Sequence, residues 1–230
     1  LQYQDAYRLE QVLKDSPFEK TELVFFKGQT GGELGPFIKK TIKKSKANVY
    51  QQIQRAQKVG MLQLGIPKII ECYESLEGSV AILEFCEGKT LDKWVKAKEL
   101  SAEDILSIFK DVCSIVQSLH NIQPQIIHRD LKPENIMVNK NAEGFKVSLL
   151  DFGIARNPKN DLQNDTLLLG TKEYAAPEQF GFAQTDERSD IYSLGKVLYF
   201  CFAGKGMGSN STASYQLTST IPTEICKIIF

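Results

Sequence analysis

Cysteine is scarce and unpaired in pattern: Cys72, Cys86, Cys113, Cys201 and Cys226 are odd in number and widely spaced. That excludes a disulfide framework and a CxxC metal site, and it is the usage of a reducing compartment. Cytoplasm is the expected location, with any membrane anchor carried on a segment outside these residues. Net charge is missing as well, since 28 basic side chains balance 28 acidic ones. No overall field therefore favours nucleic acid or an anionic membrane as partner, and any basic surface must be local. The longest apolar run, residues 194–203, is interrupted by Lys196 and falls short of the roughly 18 residues that span a bilayer, so no membrane contact is expected within this segment. With only 8 Pro and 16 Gly, collagen-like and low-complexity readings also fall away. What is left is a globular chain long enough for one large domain or two small lobes.

Residues 7–13, 23–26 and 37–42 alternate like strands and are separated by Asp-Ser-Pro and Gly-Gly turn chemistry, which predicts three antiparallel strands. Residues 47–64 hold apolar positions at helical spacing, and 69–73 with 80–85 read as a hairpin around Glu77-Gly78. From Leu91 the period changes. Ser101 and Asp104 cap a long helix whose buried face runs through Ile105, Phe109, Val112 and Val116. Short strands at 136–138 and 147–150 follow, split by a polar turn at 139–144. The expected class is α+β: a small antiparallel β lobe with one helix over 1–84, and a larger, mainly α-helical lobe over 85–230.

The second half carries an ordered set of motifs: His128-Arg129-Asp130-Leu131-Lys132-Pro133-Glu134-Asn135, then Asp151-Phe152-Gly153, Ala176-Pro177-Glu178, and Asp190 with Ser193 and Gly195. In this order and spacing the chain resembles the eukaryotic-like protein kinase family, and the wording GTKEYAAPEQ and SDIYSLG resembles its bacterial Ser/Thr branch. The resemblance implies the bilobal protein-kinase fold, with ATP and Mg²⁺ (or Mn²⁺ in its place) as cofactors and Ser/Thr hydroxyls of proteins, its own included, as acceptors. It implies Asp130 as the base for the substrate hydroxyl and Lys132 as a contact to the transferring phosphate. Asn135 and Asp151 become the Mg²⁺ ligands, oxygen donors suited to a hard cation. His128 is implied to pack beside the Asp-Phe-Gly turn, and His120 reads as a cap or surface residue. On the adenine side the resemblance implies Leu83 as gatekeeper, the backbone of Glu84 and Cys86 as hinge, and Leu13 and Met137 against the ring.

Several positions depart from the family pattern. Lys14, Ser16 and Glu19 stand where the phosphate-covering loop should have glycines, while Gly31-Gly32 reads as a hairpin turn. Pro36-Phe37-Ile38-Lys39 occupies the place of the phosphate-pairing lysine, which makes Lys39 that lysine, Phe37 a bulky cover for adenine, and Lys40 a residue of the opposite face. The helix after it should supply a glutamate, yet residues 45–70 contain no Asp or Glu; counting back from Pro67 lands on Gln57, a neutral and weaker partner. Residues 27–58 hold eight basic side chains against Glu33 alone, either a solvated edge or a face for an acidic or phosphorylated partner. Arg129 is implied as receptor for a phosphate on Thr166, with Thr171 in the substrate-docking loop and Asp165 as a partial substitute. Glu178 is expected to lack its Arg partner, because the chain stops at Phe230 where the family has further helices. A start at Leu1 without Met likewise reads as part of a longer chain. The alternative reading is a pseudokinase, a weakly nucleotide-binding scaffold that serves as an interaction module.

Overall fold

Alternating side chains build three long strands, β1 (Tyr7–Asp15), β2 (Glu19–Lys27) and β3 (Glu33–Lys43), in a computed structural model that describes residues 6–28, 31–43, 49–62, 64–155, 173–180 and 185–204. The first turn is held by Ser16, whose N–H and Oγ both donate to the Glu19 carbonyl at 2.9 and 3.0 Å while Oγ accepts the Glu19 N–H. Such side-chain bonding to local backbone is what Ser offers a tight turn. Gly28 and Gly32 close the second turn with a 2.7 Å bond, as the Gly-Gly signal predicts.

The first compact unit spans Leu1–Cys86. Strands β4 (Ile69–Glu74) and β5 (Gly78–Glu84) complete an antiparallel sheet of order β1-β2-β3-β5-β4. The β4–β5 turn requires glycine at 78: φ is +144°, and a Cβ there would stand 2.1 Å from the Ile42 carbonyl oxygen on β3. Helix α1 (Val49–Lys58) buries Val49, Tyr50, Ile53 and Ala56. It is shorter than residues 47–64 because Gly60 turns left-handed at φ +78°, and the amides of Met61 and Leu62 fold back onto the Ala56 carbonyl.

The second unit spans Glu87–Phe230, the break falling two residues beyond the one read from the sequence. Its described elements are β6 (Lys89–Thr90), α2 (Leu91–Ala97), α3 (Ala102–Asn121), β7 (Ile136–Asn141), β8 (Gly144–Leu149) and α4 (Glu187–Ala203), with β6, β7 and β8 forming a second sheet. The predicted capping box on α3 is present in both directions, Asp104 N–H to Ser101 Oγ at 3.1 Å and Ser101 N–H to Asp104 Oδ2 at 2.9 Å. The α3 core stripe is Ile105, Ile108, Val112, Ile115, Val116 and Leu119, with Phe109 only half-buried beside it. Each such side chain contributes about 1.5–3 kcal/mol by leaving water. The α2 segment, too short for periodicity to reveal, is tied to the second sheet by Trp94, whose indole N–H donates to the Val138 carbonyl at 3.0 Å.

Candidate active site

Residues 126–135 of the second unit form a loop wrapped around one buried carboxylate. Asp190, fully inaccessible in the first turn of α4, accepts the N–H groups of His128 and Arg129, both at 2.9 Å. Its Oδ2 also lies 2.8 Å from His120 Nε2. His120 is therefore no surface cap: it closes the ring of donors that a buried carboxylate needs. Arg129 is bent to φ +68°, a conformation that costs a non-glycine residue about 1–3 kcal/mol and persists only where its surroundings impose it. Asp190 holds its N–H, and Gln179 Nε2 donates to its carbonyl at 2.7 Å.

That bend delivers Asp130. Its Oδ2 accepts from Lys132 Nζ at 2.7 Å and from Asn135 Nδ2 at 3.0 Å, and Asn135 Nδ2 also donates to the Asp130 carbonyl at 2.8 Å. With its amide nitrogen so committed, Asn135 has its amide oxygen left as a donor to a cation. Pro133–Asn135 is a single 3-10 turn, which swings Lys132 and Asn135 back onto Asp130 across a gap of two to five residues. Asp151 also adopts a left-handed φ of +62° and accepts the Gly153 N–H on Oδ1 at 3.2 Å. His128 stacks against Phe152 with ring centroids 4.9 Å apart. Its Nδ1 accepts the Asp130 N–H at 3.3 Å, so Nε2 carries the proton and donates to the Leu150 carbonyl at 3.0 Å. Burial lowers its pKa against the pull of the surrounding aspartates, which agrees with that neutral tautomer.

Glu178 accepts on Oε1 from Ser189 Oγ, fully buried on α4, at 2.6 Å. Gln179, which the motif reading passed over, caps the Ala176 N–H at 3.1 Å as well as the Arg129 carbonyl. Thr166, Thr171 and Asp165 lie outside the described residues. Met137 stands half-buried on β7, paired with Thr90 and Ser148.

In the first unit, strand register separates Lys39 from Leu83. In the β3–β5 pairing Phe37 opposes Glu84, Ile38 opposes Leu83, Lys39 opposes Ile82 and Lys40 opposes Ala81. Directly opposed residues share a face and successive ones alternate. Lys39 and Phe37 therefore share a face with Ile82 and Glu22, while Ile38 and Lys40 share the other with Leu83, Ala81 and Thr21. Leu83 and Lys39 cannot line one pocket. Phe37 instead joins an aromatic cluster with Tyr7, at 6.4 Å, which itself meets Phe26 at 5.5 Å. Lys39 Nζ faces Glu22 at 3.6 Å.

Gln57 does not reach either lysine. Its amide donates to the carbonyls of Ile66 and Pro67 at 3.4 and 3.0 Å and accepts the Ile69 N–H at 3.0 Å, so it clamps the irregular stretch between α1 and β4. The Glu84 N–H donates to the Lys68 carbonyl at 2.9 Å. Leu13 is half-exposed in a bulge of β1, between the Val12–Glu22 and Lys14–Thr21 pairs, and Cys86 is half-buried at the unit's end. The basic stretch is not one face: Lys39, Lys40 and Lys43 meet Glu22, Glu19 and Asp15 from the neighbouring hairpin, at 3.6, 3.9 and 2.7 Å. All three acids precede Lys27 in the sequence. Lys44 and Lys46 lie outside the described residues.

Residues 30–229 match the family model described as the protein kinase domain. Among curated relatives the chain is 35% identical over 144 residues to a serine/threonine-protein kinase, pkn2, of Myxococcus xanthus, covering 61% of this chain and 17% of that protein. It is 35% identical over 153 residues to the serine/threonine-protein kinase PknB of Mycolicibacterium smegmatis, covering 62% and 24%. To the serine/threonine-protein kinase unc-51 of Caenorhabditis elegans it is 31% identical over 176 residues, covering 73% and 20%. The chain thus spans about a quarter or less of these relatives' length, and within that span it has their fold. The bent catalytic loop, its buried aspartate and the match across most of the sequence agree: the chain belongs to the eukaryotic-like protein kinase family, with bacterial Ser/Thr kinases among its relatives.

Proposed function

We propose that the chain is the catalytic domain of a Ser/Thr protein kinase, which transfers the γ-phosphoryl group of ATP to Ser or Thr hydroxyls of proteins, itself included. The observation that carries this reading is the Asp130 carboxylate held between Lys132 and Asn135. Phosphoryl transfer asks a protein mainly for positioning and for cancellation of charge. Asp130 takes the proton of the attacking hydroxyl as its oxygen bonds to the γ-phosphorus and the bond to the ADP oxygen breaks. Lys132, tied to Asp130 at rest, is the cation that follows the transferring charge. The Asn135 amide oxygen and the Asp151 carboxylate fit Mg²⁺, a hard ion commonly held by one or two protein oxygens plus substrate phosphates. When bound, that ion offsets negative charge on the phosphates.

Nucleotide binding in the first unit falls to Lys40 in place of Lys39, because Lys40 shares a face with Leu83 and Thr21. Arg129, buried beside Asp130, remains the proposed receptor for a phosphate on Thr166. The scaffold alternative gains no specific support, since Asp130, Lys132 and Asn135 already hold a geometry that serves chemistry. The test is transfer of labelled phosphate from ATP and Mg²⁺ to a peptide or to the chain, with Asp130→Asn and Asp151→Asn alongside. Both should abolish transfer while ATP still binds Asp130→Asn; wild-type turnover in both would overturn the reading.

A further inference from the structure

The three residues that replace glycine in the β1–β2 turn form one connected device. Ser16 fixes the turn by bonding both the N–H and the carbonyl of Glu19, and the Phe18 carbonyl accepts the Lys43 N–H at 2.8 Å, which pins the turn to β3. Glu19 is thereby held with its side chain only 9% exposed. Lys14 Nζ lies on its Oε1, and Lys40 Nζ, also 9% exposed, lies 3.9 Å from its Oε2. A carboxylate so far removed from water needs cations near it, and a lysine so buried needs an anion. Helix α1, VYQQIQRAQK, carries no acid at all. Lys39 has its own partner in Glu22 on the opposite face.

We propose that Glu19 is the positioning carboxylate for Lys40, supplied by β2 in place of the helix, with Lys14 balancing its second oxygen. The inference rests on the reading of Lys40 as the nucleotide lysine, and deepens it by naming what holds that lysine in place. Loss of glycine from the turn is then no simple damage: the backbone loses its close approach to phosphate, and the same positions gain a fixed anion that orients an ammonium.

The test is competitive labelling of the whole folded chain with acetic anhydride across pH, read lysine by lysine by mass spectrometry. Glu19 covers and orients the Lys40 ammonium, so Glu19→Gln should free that amine and raise Lys40 labelling at pH 8 severalfold. Glu19→Asp should give an intermediate rise, and Lys39 should be unchanged in both. ATP turnover should fall in the same order, with Glu19→Asp partly rescuing it. Should Glu19→Gln fail to fold by circular dichroism, the Glu19→Asp labelling decides. Unchanged Lys40 labelling in the folded variants would overturn the pairing. The underlying reading is tested separately, by ATP protection in the wild type: protection of Lys39 and not Lys40 would overturn the lysine assignment while leaving the Glu19 pair standing.

Discussion

The two units hold their functional residues in opposite ways. In the second unit Asp130, Lys132 and Asn135 lie within five residues of each other, and one 3-10 turn folds them together. In the first unit Lys40, Glu19, Thr21 and Leu83 come from three strands and meet only through register. A short loop of fixed spacing carries its geometry in its own sequence. A sheet does not, because a shift of one residue moves every side chain to the other face. The first unit can therefore depart widely from the family pattern in wording while still pairing each β3 lysine with an acid of β1 or β2.

The largest effect belongs to the second unit, where the loop depends on a single buried group. Asp190→Ala would strand the amides of His128 and Arg129 and release the bend that presents Asp130. Stability should fall by about 3–5 kcal/mol, the cost of breaking a buried charged network, as measured by urea unfolding. A loss below about 1 kcal/mol would mean that the loop holds its shape without Asp190. In the first unit the corresponding comparison is Lys40→Met against Lys39→Met. If register decides, Lys40→Met should lower kcat/KM for ATP by about 10²–10³, the scale for losing one aimed charge at a phosphate, and Lys39→Met should stay within about threefold of wild type, since Lys39 lies on the opposite face of β3 and the buried Glu22 it leaves keeps Lys20 as partner. Equal losses would show that both faces of β3 serve nucleotide.

How much of this was legible in the sequence follows the same division. The order of strands and helix in the first unit, the α3 capping box and the His-Arg-Asp and Asp-Phe-Gly loops could all be read, because each is a local pattern of capping, turn chemistry or fixed spacing. Three kinds of residue could not. Glu22 and Glu19 were missed because their partners sit on the neighbouring strand, although acids in β2 facing lysines in β3 are the signal a hairpin alignment would reveal. Gln57 was misplaced because a count along the chain cannot show that its amide is taken up by the backbone of residues 66–69. His120 and Ser189 lie 70 and 11 residues from the carboxylates they serve, and only folding brings them together.

A third effect, smaller again, sharpens the point about Gln57. In Gln57→Glu the amide donor to the Ile66 and Pro67 carbonyls is lost, and a carboxylate is placed against two carbonyl oxygens. The variant should lose about 1–3 kcal/mol of stability, the cost of leaving such groups unpaired, with no gain in ATP affinity measured by calorimetry. Tighter ATP binding in this variant would restore Gln57 to the site.

The smallest and most gradual effect is a pH dependence confined to the second unit, where both histidines of the chain lie. His128 is fully buried and neutral, donating from Nε2 to Leu150 and accepting on Nδ1 from the Asp130 amide. Burial lowers its folded pKa below the ordinary imidazole value of 6.5; the facing carboxylates of Asp190, Asp130 and Asp151 oppose that shift without cancelling it. Above pH 6.5 neither folded nor unfolded chains protonate it, so its contribution is fully present. As pH falls through 6.5 the unfolded chain takes up a proton that the folded chain refuses, and stability drops by at most about 1.4 kcal/mol per pH unit until the lower folded value is reached. Urea midpoints at pH 7.5, 6.5 and 5.5 for the wild type and for His128→Asn measure this directly. The variant should be less stable at pH 7.5, having lost the ring packing on Phe152, yet show a shallower decline on acidification. Parallel declines in the two proteins would place the acid sensitivity in some other group and leave His128 as packing alone.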